Sequence, residues 1–130
     1  MRQNLPVTGR AVDLPRDVNI MSTTTPQSHI TYVNPDFIKI SGFSMEELLQ
    51  QPHNMVRHPD MPPAAFEQLW ATLKKGSSWM GLIKNRCKNG DHYWVSAYVT
   101  PISQNGTTIE YQSVRTKPDP KHVVAAEKAY

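Results

Sequence analysis

Apolar and polar positions alternate early in the chain, switch to a helical spacing in the middle, and alternate again towards the end. Residues 18–24 (VNIMSTT) are rich in β-branched side chains and predict a first strand. Pro26-Gln27-Ser28 reads as a turn, and residues 29–33 (HITYV) predict a second strand paired with the first as a hairpin. Asn34-Pro35 breaks the alternation, because asparagine is a good helix cap and proline suits the first helical position. Phe37, Ile38 and Ile40 give the following short helix an apolar side, and Gly42 ends it. Ser44 with Glu47 three residues later has the spacing of a capping box, and Pro52 stops that turn. The longest helix is predicted over 63–74, where Phe66, Leu69, Trp70 and Leu73 recur at i, i+3, i+4 and i+7. Lys74, Lys75 and Gly76 close it. Residues 79–87, 92–102 and 107–116 then read as three strands separated by the hairpin signals Asn89-Gly90 and Asn105-Gly106.

Two strands, short helices, one longer helix and a three-stranded meander make an α+β pattern. It predicts a five-stranded antiparallel sheet with the helices packed on one side. A length of 130 residues fits one domain. Within it, residues 1–17 are expected to be a flexible N-terminal extension, 18–118 a sensor-type domain, and 119–130 the start of a C-terminal linker helix.

Charge narrows the function classes. The net charge of +3 is a mild surplus spread along the chain, not the dense basic face of a nucleic-acid binder. The single cysteine excludes an internal disulfide and a multi-cysteine metal site, and suits a reducing compartment. No stretch approaches the roughly 20 apolar residues of a membrane span, so a cytoplasmic domain is expected. The chain holds no Gly-rich phosphate loop, no GxSxG and no nucleophile–base arrangement, so it is not read as an enzyme.

Candidate chemistry concentrates between Pro52 and Asn85. His53, Asn54, Arg57, His58, Asp60, Trp79 and Asn85, with Asn34 upstream, mix rings, amides and charges as a pocket for a flat, hydrogen-bonding ring with a charged tail would. An amide such as Asn85 offers donors and acceptors to the edge of a ring such as flavin. Arg57 can fork onto a phosphate, and His58 can stack or donate. Asp60 has the alternative reading of a cap for the helix at 63–74, and Asn34 that of a cap for the short helix after it. Trp70 fits its helix's apolar stripe, Trp94 lies within a strand, and both are read as packing residues, as is Cys87.

The segment FIKISGFSMEELLQQPHNMVRHPDMP, then W-x-x-L-K-x-G-x-x-W-x-G, then KNGDHYWV, resembles the PAS sensor domains of bacterial aerotaxis receptors over about residues 18–120. The resemblance implies the PAS fold, bound FAD and a redox sensor that reads oxygen indirectly. In that family the signal passes to a membrane-anchored region of the same receptor and on to the chemotaxis histidine kinase. It also implies that Trp79 packs on the isoalloxazine ring and that Asn34 lies near the pocket mouth. The related LOV photoreceptors carry an asparagine at what corresponds to Asn85. Their adduct-forming cysteine has no counterpart in HNMVRHPD, so no photoadduct is expected, and Val95 stands where they have a second asparagine. Two other readings stay open. One is a haem-binding oxygen sensor with His53, His58 or His92 as axial ligand; the other is a ligand-free dimerisation module.

Overall fold

The computed structural model describes residues 6–130. Strands β1 (Ile20–Thr24), β2 (Ile30–Val33), β3 (Trp79–Arg86), β4 (His92–Gln104) and β5 (Thr107–Thr116) form one antiparallel sheet in the order β2-β1-β5-β4-β3. The helices are α1 (Pro35–Ser41), α2 (Met45–Leu48), α3 (Pro63–Lys74) and α4 (Pro120–Ala129), with a 3-10 turn at His53–Val56. The architecture is the predicted one. The meander extends slightly further than the alternation alone indicated, with β4 continuing past Ile102 to Gln104.

Local chemistry explains the helix ends. Asn34 Oδ1 accepts from Phe37 N–H at the start of α1. Gly42 ends it with φ 78°, a left-handed conformation that costs glycine little. Ser44 and Glu47 form both bonds of the capping box on α2, and Glu47 also pairs with Lys88 at 2.7 Å. The expected Asp60 cap of α3 is not made. Pro62 holds the cap position without a side-chain bond, and the Asp60 carboxylate turns instead to Lys84 at 2.8 Å.

Period-two alternation sorts the meander into two faces. Trp79, Ile83 and Asn85 of β3, Tyr93, Val95, Ala97 and Val99 of β4, and Tyr111, Ser113 and Arg115 of β5 are buried. The core lies between this face and α1–α3, with Phe37, Leu48, Val56, Leu69 and Leu73 supplied by the helical side. Helix α4 lies on the opposite face: the Tyr130 hydroxyl donates to Leu82 O at 2.9 Å, and its ring stands 6.0 Å from that of Trp94. Trp94 therefore packs on the outer surface.

The expected N-terminal extension falls partly outside the described residues. From Pro6 onward it runs along the β3–β4 hairpin as a strap. Thr8 N donates to Gly90 O at 3.0 Å, Val12 N to His92 O at 2.7 Å and His92 N to Arg10 O at 2.9 Å. Arg86 Nε donates to Pro6 O at 2.7 Å, and Leu14 is buried in the core.

Candidate functional site

Between α3 and the inner face of the sheet lies a narrow, partly open cleft with a cavity volume of about 70 Å³. One wall is Phe66, Leu69, Trp70 and Leu73, the four residues of the stripe that made α3 amphipathic. The other is Ile83, Val99 and Tyr111. Trp70 meets Tyr111 edge-on with centroids 5.4 Å apart, so it lines the cleft as well as packing. The polar groups are Thr24, Ser28, His53, Asn54, Arg57, Ser113 and Arg115, with no carboxylate among the lining residues. An apolar slot with a few convergent polar groups is the usual form of a small-molecule site.

Three of the residues expected in a pocket, His53, Asn54 and Arg57, line this cleft. The Arg57 guanidinium lies 3.6 Å from the centroid of the Phe66 ring, a cation–π arrangement that fixes the head group against α3. Burial lowers the pKa of Arg57. His53 lies 3.3 Å from Ser22 Oγ through Nε2, and its ring meets Phe37 edge-on at 6.0 Å. Burial drives its pKa well below the ordinary 6.5, and Arg115 and Arg57 push the same way, so it is neutral at physiological pH.

Asn85 and Trp79 share the buried face of β3 with the wall residue Ile83 but do not line the cleft. Asn85 is 2 % exposed on β3. In the amide orientation that satisfies both of its ends, its oxygen accepts from Arg115 Nη1 at 2.7 Å and its nitrogen donates to Val56 O at 3.1 Å. Trp79 faces the core and lays its ring over Gly81. A β-carbon at Gly81 would stand 2.4 Å from the far edge of the indole, which gives the W-x-G spacing a steric reason.

The other three lie outside the cleft. Asn34 is taken up by local structure: besides capping α1 it accepts from Met21 N at 3.0 Å and donates to Asn19 O at 2.7 Å. His58 is held beside β3, with its backbone N–H donating to Lys84 O at 3.2 Å and its Nδ1 accepting from Asp60 N at 3.0 Å. Burial, reinforced by Lys84, lowers its pKa to about 4, and its ring meets His92 at 5.7 Å. The hydrogen bond from Lys84 holds the Asp60 carboxyl below the usual range, facing the outer groove beside Trp94 and Tyr130. The turn RHPD thus divides its side chains, Arg57 into the cleft and His58 and Asp60 along the strand edge.

Arg115 was missed from the sequence. An arginine late in an alternating strand suggests solvent, but its parity is that of Tyr111 and Ser113. Its register partner Ala97 is itself buried, so the signal was present in the strand pairing. It is 6 % exposed, and burial lowers its pKa to about 10, partly offset by Tyr93. Cys87 is buried as expected. Its thiol lies 3.3 Å from Ile40 O, and burial raises its pKa to about 11. No group of three or more His, Cys, Asp or Glu suited to a metal occurs among the described residues. No helix among them is long and apolar enough to cross a membrane.

Comparison with known proteins agrees with the fold. The PAS-fold family pattern matches residues 30–115. The aerotaxis receptor of Escherichia coli K12 is 50% identical over 124 residues, covering 95% of this chain and 24% of the receptor. The nitrogen fixation regulatory protein of Klebsiella pneumoniae is 30% identical over 82 residues, covering 63% of this chain and 17% of that protein. The chain therefore spans a quarter or less of the length of these relatives. Among solved structures, a light-oxygen-voltage domain studied with a flavin analogue superposes with TM-score 0.76 at 20% identity, covering 85% of both chains. The light state of the Aureochrome1 LOV photoreceptor superposes at 0.74 and 19%, covering 85% of this chain and 91% of that one. At such identities the likeness is one of fold.

Proposed function

The chain belongs to the PAS family, and we propose that it is a flavin-binding redox sensor domain, without catalytic activity of its own, that serves aerotaxis. The observation that carries this reading is the cleft itself: a narrow apolar slot whose charged groups, Arg57 and Arg115, are both cationic. A flat ring system with electron-rich carbonyl and nitrogen atoms on its rim fits such a slot, and an anionic tail fits its arginines. Identity to an aerotaxis receptor over nearly the whole chain supports the same conclusion.

In this reading His53, Arg57, Asn54 and Arg115 face the ligand. Asn85 acts on it through Arg115. Trp79 flanks the wall on the same face of β3 as Ile83, and the His58–Asp60 turn holds Arg57 in place. Asn34 acts at one remove, by fixing β1 to α1. The bound flavin would supply reversible electron uptake, and the protein would tune it and couple its charge to packing. We take FAD as the form bound, with Arg57 the residue placed for its phosphates. The signal would pass to a membrane-anchored region of the same receptor and through it to the chemotaxis histidine kinase, with the domain itself cytoplasmic.

The test is the visible spectrum of the purified domain before and after dithionite, with heat release of the cofactor to separate FAD from FMN. A structured blue-region band that bleaches on reduction is expected. A Soret band would move the site to haem, with His53 as the cleft histidine. A protein that stays colourless after incubation with FAD would sink the proposal and leave a dimerisation module.

A further inference from the structure

The cleft is lined for a flat ring but is too narrow to take one in. Its cavity volume is about 70 Å³, whereas pockets for small organic molecules span about 300–1,000 Å³ and bury most of the ligand. One wall must therefore move before a tricyclic ring can enter. The sheet wall is fixed, because Ile83, Val99 and Tyr111 lie on β3, β4 and β5, which are laddered to one another. The helix wall is held less firmly. Leu69 and Leu73 bury the second half of α3, but Ala65 and Phe66 before them are only partly buried. The first turn has no side-chain cap, and Pro62 and Pro63 supply no backbone N–H to tie it down. Asp60, which could have capped it, is held by Lys84 at 2.8 Å. The contact that fastens this half is the Arg57 guanidinium, 3.6 Å from the Phe66 ring centroid. Arg57 is itself tied to the sheet by its bridge to Asn85, so the contact joins a mobile element to an immobile one.

We propose that the first half of α3 is a gate on the cleft, that the Arg57–Phe66 contact is its clasp, and that flavin enters and leaves only while the clasp is open. The inference rests on the flavin reading given above. A cation on an aromatic face shifts such an equilibrium by roughly two- to thirtyfold, enough to keep the gate mostly shut and little enough for it to open often. Leu69 and Leu73 stay in the core while the gate swings, so opening does not require the domain to unfold. The same swing parts Trp70 from Tyr111, whose rings now meet edge-on across the slot at 5.4 Å. The clasp closes again over the bound ring, which makes opening the slow step in both directions. A clasp differs from an affinity contact in what its loss does. Loosening it speeds entry and exit together and leaves affinity almost unchanged, whereas losing an affinity contact speeds exit alone.

The experiment follows FAD uptake by the stripped protein, through quenching of its tryptophan fluorescence at rising FAD concentration, and FAD release after dilution. In the wild type the uptake rate should level off at the rate of opening. Phe66→Leu keeps an apolar lining but offers no aromatic face. Its plateau and its release rate should both rise at least about threefold, with Kd within about twofold of the wild type. Phe66→Trp, a better face for a guanidinium, should lower both rates. A wild-type uptake rate that climbs in proportion to FAD over the whole range overturns the proposal, and needs no variant. So does a Phe66→Leu protein that releases FAD faster with unchanged uptake, since Phe66 is then an affinity contact. A Phe66→Leu protein that fails to fold when stripped also overturns it, by making Phe66 a core residue. A wild type that takes up no FAD overturns the functional reading, and this inference with it. That outcome is told apart from the others by flavin content alone.

Discussion

Single residues here set both shape and charge. Gly81 exists to admit the Trp79 indole, since a β-carbon would stand 2.4 Å from it. Gly81→Ala should therefore overpack the wall and cost about 1–3 kcal/mol in urea unfolding. Most of that cost should disappear in a Trp79→Leu background; equal costs in both backgrounds would refute the steric account. Acid should act through the histidines. The folded-state values of His53 and His58 are depressed, the latter to about 4, so the folded protein binds fewer protons than the unfolded chain below the ordinary value of 6.5. Stability is thus full above about pH 6.5 and falls as the pH drops, by up to about 1.4 kcal/mol per pH unit for each proton. His58→Gln should flatten the decline in unfolding midpoint between pH 6.5 and 4, because protonating His58 ends its acceptance of the Asp60 N–H bond. An unchanged slope would place the acid response elsewhere.

Elements were more readable in the sequence than the site, for a physical reason. Caps, prolines and periodicity act within a few residues, so α3 over Pro63–Lys74, the Ser44–Glu47 capping box and both Asn-Gly turns could be read directly. The site depends on which wall meets which, and local spacing carries that weakly. RHPD was read as one cluster, yet its close approach to β3, marked by the Arg57–Asn85 bridge, sends its neighbouring side chains to different sides. The same approach gives Asp60 a lysine partner in place of the helix end. Asn34 shows the converse, an element-scale role behind a site-like residue: one side chain joins α1, Met21 and Asn19. Asn34→Ala should lower unfolding free energy by about 2 kcal/mol through loss of the cap and the unsatisfied Met21 N–H. Flavin affinity per folded molecule should stay within about twofold, and a large loss of affinity at full folding would instead put Asn34 at the ligand.

At the scale of the whole molecule, the N-terminal strap and α4 pack on the meander outside the α1–α3 layer, and this changes what the folding unit is. The polar stretch with Pro6, Gly9 and Pro15 has no periodicity, so composition points to an appendage starting outside residue 18. Its hydrogen bonds are made to the hairpin and not to itself, through Thr8, Arg10 and Val12, and no local pattern can announce bonds of that kind. Leu14 makes the distinction measurable, because it is 4 % exposed within the core cluster. If the strap were an extension, truncating this side chain would leave stability unchanged. Packed as it is, Leu14→Ala should cost about 2–4 kcal/mol. Arg86→Ala, which removes the bond to Pro6 O, should loosen the strap with a smaller cost of about 1 kcal/mol and faster amide exchange at Thr8 and Val12. Strand β3 links these effects to the cleft. Ile83 and Asn85 face inward, while the carbonyl of Leu82 accepts from Tyr130 and Lys84 holds Asp60 on the outer side. A shift of the strand forced from the cleft must therefore be felt by α4, and a rigid strap on the adjoining hairpin limits where that motion can go. Removing the strap's anchor at Leu14 should accordingly raise exchange in α4 as well as in the strap. Exchange confined to residues 6–14 would mean that the two outer covers are independent.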